Sequence, residues 1–187
     1  MQIIENAILR LTVEEKNARP VELINKQNNL SIILESQDLN IFFPSEDNPL
    51  SDTDWTVVDK GDTEVSLSLV ENKESIKIFP YHYNLMVTYQ LNGNQMKMIF
   101  TLRNDSRKEM SSELSVDFDL ALSKYEIEEN LSEYKILNDE QNIDFSFDIK
   151  PQINIEKINN GLKVKMMNDL VVDSQNRIQR QIILTVQ

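Results

Sequence analysis

The sequence predicts an all-β protein, an antiparallel β-sandwich. Three observations predict it: apolar residues recur with a period of two, every glycine sits in turn chemistry, and helix signals are poor. Leu114, Val116, Phe118, Leu120 and Leu122 alternate with Ser115, Asp117, Asp119 and Ala121. A strand sends successive side chains to opposite faces, so this run gives one face to a core and the other to a more polar place. The same alternation runs through Val65, Leu67 and Leu69, then Leu85, Val87, Tyr89 and Leu91, then Met96, Met98, Phe100 and Leu102. It returns in Ile143, Phe145, Phe147 and Ile149, weakens in Leu162, Val164 and Met166, and closes the chain at Ile182–Val186. Further strands are expected near 2–5, 7–13, 20–25, 31–35 and 55–59.

The turns fall between these runs. Gly93 lies in Leu91-Asn92-Gly93-Asn94, and Asn-Gly between two alternating segments favours a hairpin, because a type I′ turn needs positive φ at both central residues. Gly161 follows Asn160 in the same way, and Gly61 sits in Asp59-Lys60-Gly61-Asp62. With only 3 glycines, each spent on a turn, none is left for a glycine-rich phosphate loop. Tyr125 to Leu137 is the one stretch with helical character, predicting a turn or two. Pro44 to Ser51, with two prolines and acidic neighbours, reads as the clearest loop. No repeat, low-complexity tract or linker divides the chain. Residues 1–187 therefore read as a single domain, long enough to hide roughly 70% of its unfolded surface.

Composition removes whole classes of function. Lys+Arg number 19 against 31 Asp+Glu, for a net charge of −12 and a pI near 4.5. Phosphate backbones are bound by Lys and Arg, so a nucleic-acid partner is excluded, as is an anionic membrane surface. There is no cysteine and 1 histidine, which removes disulfides, thiol nucleophiles and multi-histidine or thiolate metal sites. No metal and no cofactor are expected. No apolar run approaches the ~18 residues of a membrane span. The opening Met1-Gln2-Ile3-Ile4-Glu5-Asn6 lacks a signal-peptide pattern, so a cytoplasmic protein is expected.

Four residues are candidates for binding. His82, in Phe79-Pro80-Tyr81-His82-Tyr83-Asn84, is the only imidazole. It reads either as a sugar-contacting donor or general acid, or as a residue stacking and hydrogen-bonding at a strand entry, since no nucleophile or orienting carboxylate is marked beside it. Asp117 and Asp119 share the polar face of one strand, about 7 Å apart at Cα by the strand rise. They read as a carboxylate pair in a cleft, as part of a calcium site, or as a solvated face; no EF-hand-like loop supports calcium. Trp55 is a sugar-stacking platform or a core anchor.

From residue 47 to 105 the chain resembles a known family. The segments are Asp52-Thr53-Asp54-Trp55-Thr56-Val57-Val58, Val65-Ser66-Leu67-Ser68-Leu69, Phe79-Pro80-Tyr81-His82-Tyr83-Asn84-Leu85-Met86-Val87-Thr88-Tyr89-Gln90-Leu91, and Thr101-Leu102-Arg103-Asn104. In this order they resemble aldose 1-epimerases, and more closely the bacterial galactose mutarotase-like branch of LacX-type proteins. Ile3-Ile4-Glu5-Asn6-Ala7-Ile8-Leu9 resembles the family's opening strand, and Ile41-Phe42-Phe43-Pro44 its "L-F-P" segment. The resemblance covers roughly residues 1–135. It implies an antiparallel β-supersandwich with a sugar cleft on the concave sheet. It also implies a chemistry in which two histidines and a late glutamate open and close a pyranose ring.

The departures fall on that chemistry. Aligned on Asp52 and Trp55, the first histidine of the family's "H-G-F-A-R-D" is Asp47 here, and its arginine is Ser51. The second histidine, in "G-x-H-P", falls on Asp117. The segment carrying the glutamate has no counterpart, so the resemblance implies a shortened supersandwich without the catalytic residues. An aspartate titrates near pH ~4, so at neutral pH Asp117 donates no proton unless burial raises its pKa.

The reading that follows is a non-catalytic mutarotase-like module that binds a carbohydrate or a protein partner. Two others stay open. One is an active aldose 1-epimerase with a rearranged site, Asp117 as base and His82 as acid. The other is a structural or assembly sandwich that forms homo-oligomers through its sheet edges.

Overall fold

The computed structural model describes residues 1–33, 39–42, 53–122, 125–130, 133–139, 141–159 and 161–187. Two antiparallel sheets face each other across one apolar core. The first contains β1 (Gln2–Glu5), β2 (Leu9–Val13), β3 (Pro20–Asn25), β4 (Leu30–Ile33) and β5 (Leu39–Phe42). The second begins with β6 (Thr56–Lys60), β7 (Glu64–Val70), β8 (Tyr83–Asn92) and β9 (Gln95–Asn104). The chain then returns to the first sheet in β10 (Met110–Leu120), and to the second in β11 (Glu126–Glu129), β12 (Glu133–Leu137) and β13 (Ile143–Phe147). A hairpin of β14 (Gln152–Ile158) and β15 (Gly161–Val172) rejoins the first sheet, and β16 (Arg177–Val186) ends in the second.

The first sheet runs β1-β2-β3-β4-β10-β15-β14, with β5 also on β10; the second runs β11-β12-β13-β16-β9-β8-β7-β6. The only helix among the described residues is α1 (Ser75–Ile78), one turn before β8. None is long and apolar enough to cross a membrane.

The alternation read from sequence is the packing. Leu114, Val116, Phe118 and Leu120 of β10 are buried, and so are Leu85, Val87, Tyr89 and Leu91 of β8 and Met96, Met98, Phe100 and Leu102 of β9. Phe118 from the first sheet meets Phe145 from the second, ring centroids 5.8 Å apart, which ties the two layers together. The Tyr89 hydroxyl satisfies itself inside the core by donating to the Ala18 carbonyl at 2.7 Å.

The expected hairpin forms between β8 and β9, but the expected type I′ turn is corrected: Gly93 adopts φ 57 while neither Asn92 nor Asn94 has positive φ, so the turn carries one left-handed residue and not two. Gly161 adopts φ 156 and lies so close to β10 that a Cβ there would stand 1.9 Å from the Leu120 carbonyl oxygen.

The expected helical turns in 125–137 are corrected to a hairpin of β11 and β12. Asn130 closes it: its amide N–H donates to the Glu133 carbonyl at 3.1 Å, and its Oδ1 accepts from the Glu133 N–H at 2.9 Å. β12 then finds a hydrogen-bonding neighbour in β13, which a helix could not use. The loop 44–51 lies outside the described residues.

Candidate functional site

β10 is flanked by β5 and β15, so its outward face is the middle of the first sheet. Pairing with β15 sets Ser115 beside Met167, Asp117 beside Lys165 and Asp119 beside Lys163. β14 extends each row with Gln152, Asn154 and Glu156. The sequence places acids at every second residue of one strand and lysines at every second residue of the other. Antiparallel register then converts this into opposite-charge pairs on one face.

These rows are not a solvated face. Asp119 is only 13% exposed in its side chain and Lys163 22%, with Oδ1 3.8 Å from Nζ. That Oδ1 is buried and accepts no hydrogen bond. Ser115 is buried as well, and its hydroxyl donates to Asp117 Oδ1 at 3.4 Å. Burial pushes the Asp117 carboxyl above the usual carboxylate range; Lys165, Lys163 and the Ser115 hydroxyl pull the other way, and Asp119 adds to the rise. In the outermost row Asn154 Nδ2 donates to Glu156 Oε1 at 2.9 Å. The arrangement offers carboxylate acceptors and ammonium donors at the spacing between strands, about 4.8 Å. Carboxylate oxygens accept and ammonium groups donate, so both kinds of hydrogen-bonding group stand side by side on this face.

The four sequence candidates do not converge. Asp117 and Asp119 are together on β10. Trp55 is only 4% exposed within the core, so it offers no open face for stacking and packs as a core anchor. Its backbone N–H donates to the Glu15 carbonyl at 2.9 Å. His82 stands before β8, where its Nδ1 lies 2.9 Å from Glu71 Oε1. It lines a groove with Asp105, Arg107 and Lys108 at the start of β10, and neither aspartate of the pair lines that groove. Asp117 lies seven residues beyond Met110, about 23 Å along the strand. Asp47, aligned with the other family histidine, lies outside the described residues.

Lys163, Lys165 and Asn154 are the site residues the sequence reading missed. Leu162-Lys163-Val164-Lys165-Met166 does carry the signal, two cations on one strand face, but the paired residues lie 44 apart in sequence for Asp119 and Lys163 and 48 apart for Asp117 and Lys165. No group of three or more His, Cys, Asp or Glu that could hold a metal ion occurs among the described residues.

No family model matches the sequence, and no curated protein matches it. Solved structures match its shape over the whole length. A galactose mutarotase-like protein from Lactobacillus casei aligns at a TM-score of 0.85 with 14% identity, covering 100% of both chains. A galactose mutarotase related enzyme from Lactobacillus acidophilus aligns at 0.82 with 11% identity, over 100% of this chain and 97% of that one. A putative aldose 1-epimerase from Escherichia coli aligns at 0.75 with 9% identity, over 99% and 98%. The chain has the galactose mutarotase-like fold that its segments 1–135 resemble.

Proposed function

We propose that this chain is a non-catalytic galactose mutarotase-like protein that binds a carbohydrate on the outer face of its first sheet. The carrying observation is the pair of rows Asp117–Lys165 and Asp119–Lys163, half-buried in mid-sheet. Holding those charges out of water costs free energy that pairing across the strands offsets only in part. The fold likeness supports a sugar over other polar ligands, since the neighbouring structures are described as galactose mutarotase-like or aldose 1-epimerase proteins.

Asp117 stands where the resemblance expects a catalytic histidine. A carboxylate there accepts hydrogen bonds from sugar hydroxyls, and the imidazole that the resemblance expects at this position is absent.

Catalysis by a rearranged site is the second reading. One observation favours it: burial moves Asp117 in the direction an acid needs. Its proposed partner His82 lines a different groove, which is why binding without catalysis is preferred.

Saturation-transfer NMR against common hexoses and hexose phosphates tests the proposal. Transfer to at least one hexose is expected, and Asp117→Asn with Lys165→Met should abolish it. Absence of transfer to all of them, or transfer untouched by both substitutions, would contradict it.

A further inference from the structure

A second feature stands apart from the β10–β15 rows. The approach to β8, the β9–β10 loop and the β15–β16 turn enclose a groove of about 720 Å3. Its lining includes His82, Asp105, Ser106, Arg107, Lys108 and Gln175. The chain has 19 Lys+Arg and 1 His against 31 acids, so three basic side chains in one groove run against its overall charge.

The groove's backbone is held rigidly from below. Asn104, fully buried, donates through Nδ2 to the carbonyls of Lys108 at 2.8 Å and Val172 at 2.9 Å, and its Oδ1 accepts from the Ser106 N–H at 2.9 Å. Ser106 Oγ accepts from the His82 N–H at 2.7 Å, and the Asp105 N–H donates to the His82 carbonyl at 2.8 Å. Gln175 is held at φ 59, an uncommon conformation for a non-glycine residue, while its side-chain amide donates to the carbonyls of Asp105 and Ser106. A loop pinned this way presents the Arg107 and Lys108 side chains without a large ordering cost at binding.

The acids beside the groove are already engaged. Arg103 holds the Asp105 carboxylate, Nη2 to Oδ2 at 2.8 Å. Glu71 meets the His82 ring through Oε1 and accepts from the Tyr83 N–H through Oε2 at 3.1 Å. The Lys108 ammonium rests 4.2 Å from the Tyr81 ring centre, on an aromatic face rather than a carboxylate. Arg107 is exposed and has no hydrogen-bond or ion-pair partner among the described residues. A guanidinium and an ammonium make a donor set for a tetrahedral oxyanion, and the His82 ring, with Nδ1 on the Glu71 carboxylate, adds a donor at Nε2 when it carries both protons.

We propose that this groove binds a phosphoryl group, either free phosphate or a phosphate monoester, through Arg107, Lys108 and His82. The single imidazole makes the test direct, because its ring protons give one assignable pair of NMR signals.

The intact chain is titrated at fixed pH with inorganic phosphate in one arm and glycerol 3-phosphate in the other, each against sodium chloride at matched ionic strength. A saturable shift of the His82 ring signals is expected in at least one arm. Response in both identifies the bare anion as sufficient, and response to the ester alone identifies an esterified ligand. Arg107→Gln and Lys108→Gln, both exposed and remote from the core, should each weaken binding about tenfold, the scale of one lost charge-assisted hydrogen bond. Arg10→Gln, at an exposed position on β2, should leave it unchanged. No saturable shift in either arm, or equal weakening by Arg10→Gln, would overturn the proposal.

Discussion

Asp119 and Lys163 oppose each other across β10 and β15 with Oδ1 3.8 Å from Nζ, both largely withdrawn from solvent in the middle of an eight-stranded sheet. An exposed pair at that distance contributes little, about 0–1 kcal/mol. Burial changes the balance: what matters is the penalty for leaving one member alone. Asp117 stands beside Lys165 in the next row. Two rows of that face, Asp117–Lys165 and Asp119–Lys163, set opposite charges side by side, whereas Glu113 stands beside Asp169 further along the same strands.

Lys163→Met should destabilise the protein by about 1–3 kcal/mol, because it strands a carboxylate whose Oδ1 already accepts no hydrogen bond. Adding Asp119→Asn should recover part of that loss. Urea denaturation of the two single variants and the double variant measures the coupling. Additive effects would show that the pair does not act as a unit.

Asp117 has the opposite sign from a carboxylate in a stabilising salt bridge. Its folded-state pKa lies above the unfolded one, chiefly because of burial. The native state therefore binds the Asp117 proton more tightly than the unfolded chain does. This contribution is fully present below the unfolded pKa and is lost as pH rises through the folded value. Asp117→Asn should match the parent protein near pH ~3 and gain melting temperature relative to it as pH rises to neutrality. Scanning calorimetry of both proteins across that range checks the sign. A relative gain on the acid side would reverse it.

Gly161 and Gly61 make a matched pair. Alanine at Gly161 meets the Leu120 carbonyl and an unfavourable φ, so it should cost about 1–3 kcal/mol or more. Alanine at Gly61 meets nothing within 4 Å and should change stability by no more than about 0.5 kcal/mol. Thermal melts of the two variants distinguish a close backbone approach from a tolerant turn.

How much of this was legible in sequence depended on burial. β8, β9 and β10 each have one face in the core, so their apolar residues alternate visibly and their limits were found within a few residues. The edges gave little signal. All four residues of β11 are exposed, so no burial contrast marks its period; β14 does alternate, with Ile153 and Ile155 half-buried between exposed Gln152, Asn154 and Glu156, but over only five residues. β11 was read as part of a helical turn and β14 was not identified. The candidate site was half legible for a related reason. Asp117 and Asp119 stood out on their strand, but their lysine partners come from a strand more than forty residues later, and only the register of β10 with β15 joins them. His82 was conspicuous as the sole imidazole. That it faces Arg107 and Lys108 rather than the aspartates is a property of three loops meeting, which no local pattern encodes.

The central claim is that the β10–β15 face holds a sugar without interconverting its anomers. General acid–base groups contribute about 10²–10⁴ each, so loss of both acid and base should leave mutarotation near the buffer rate. The most direct measurement puts both questions in one tube: freshly dissolved α-galactose or α-glucose with micromolar protein, followed by NMR for saturation transfer and for the anomer ratio over time. Transfer from protein to sugar, with anomers equilibrating at the buffer rate at every protein concentration, is the predicted result. An equilibration rate that rises in proportion to protein and falls in Asp117→Asn would contradict it.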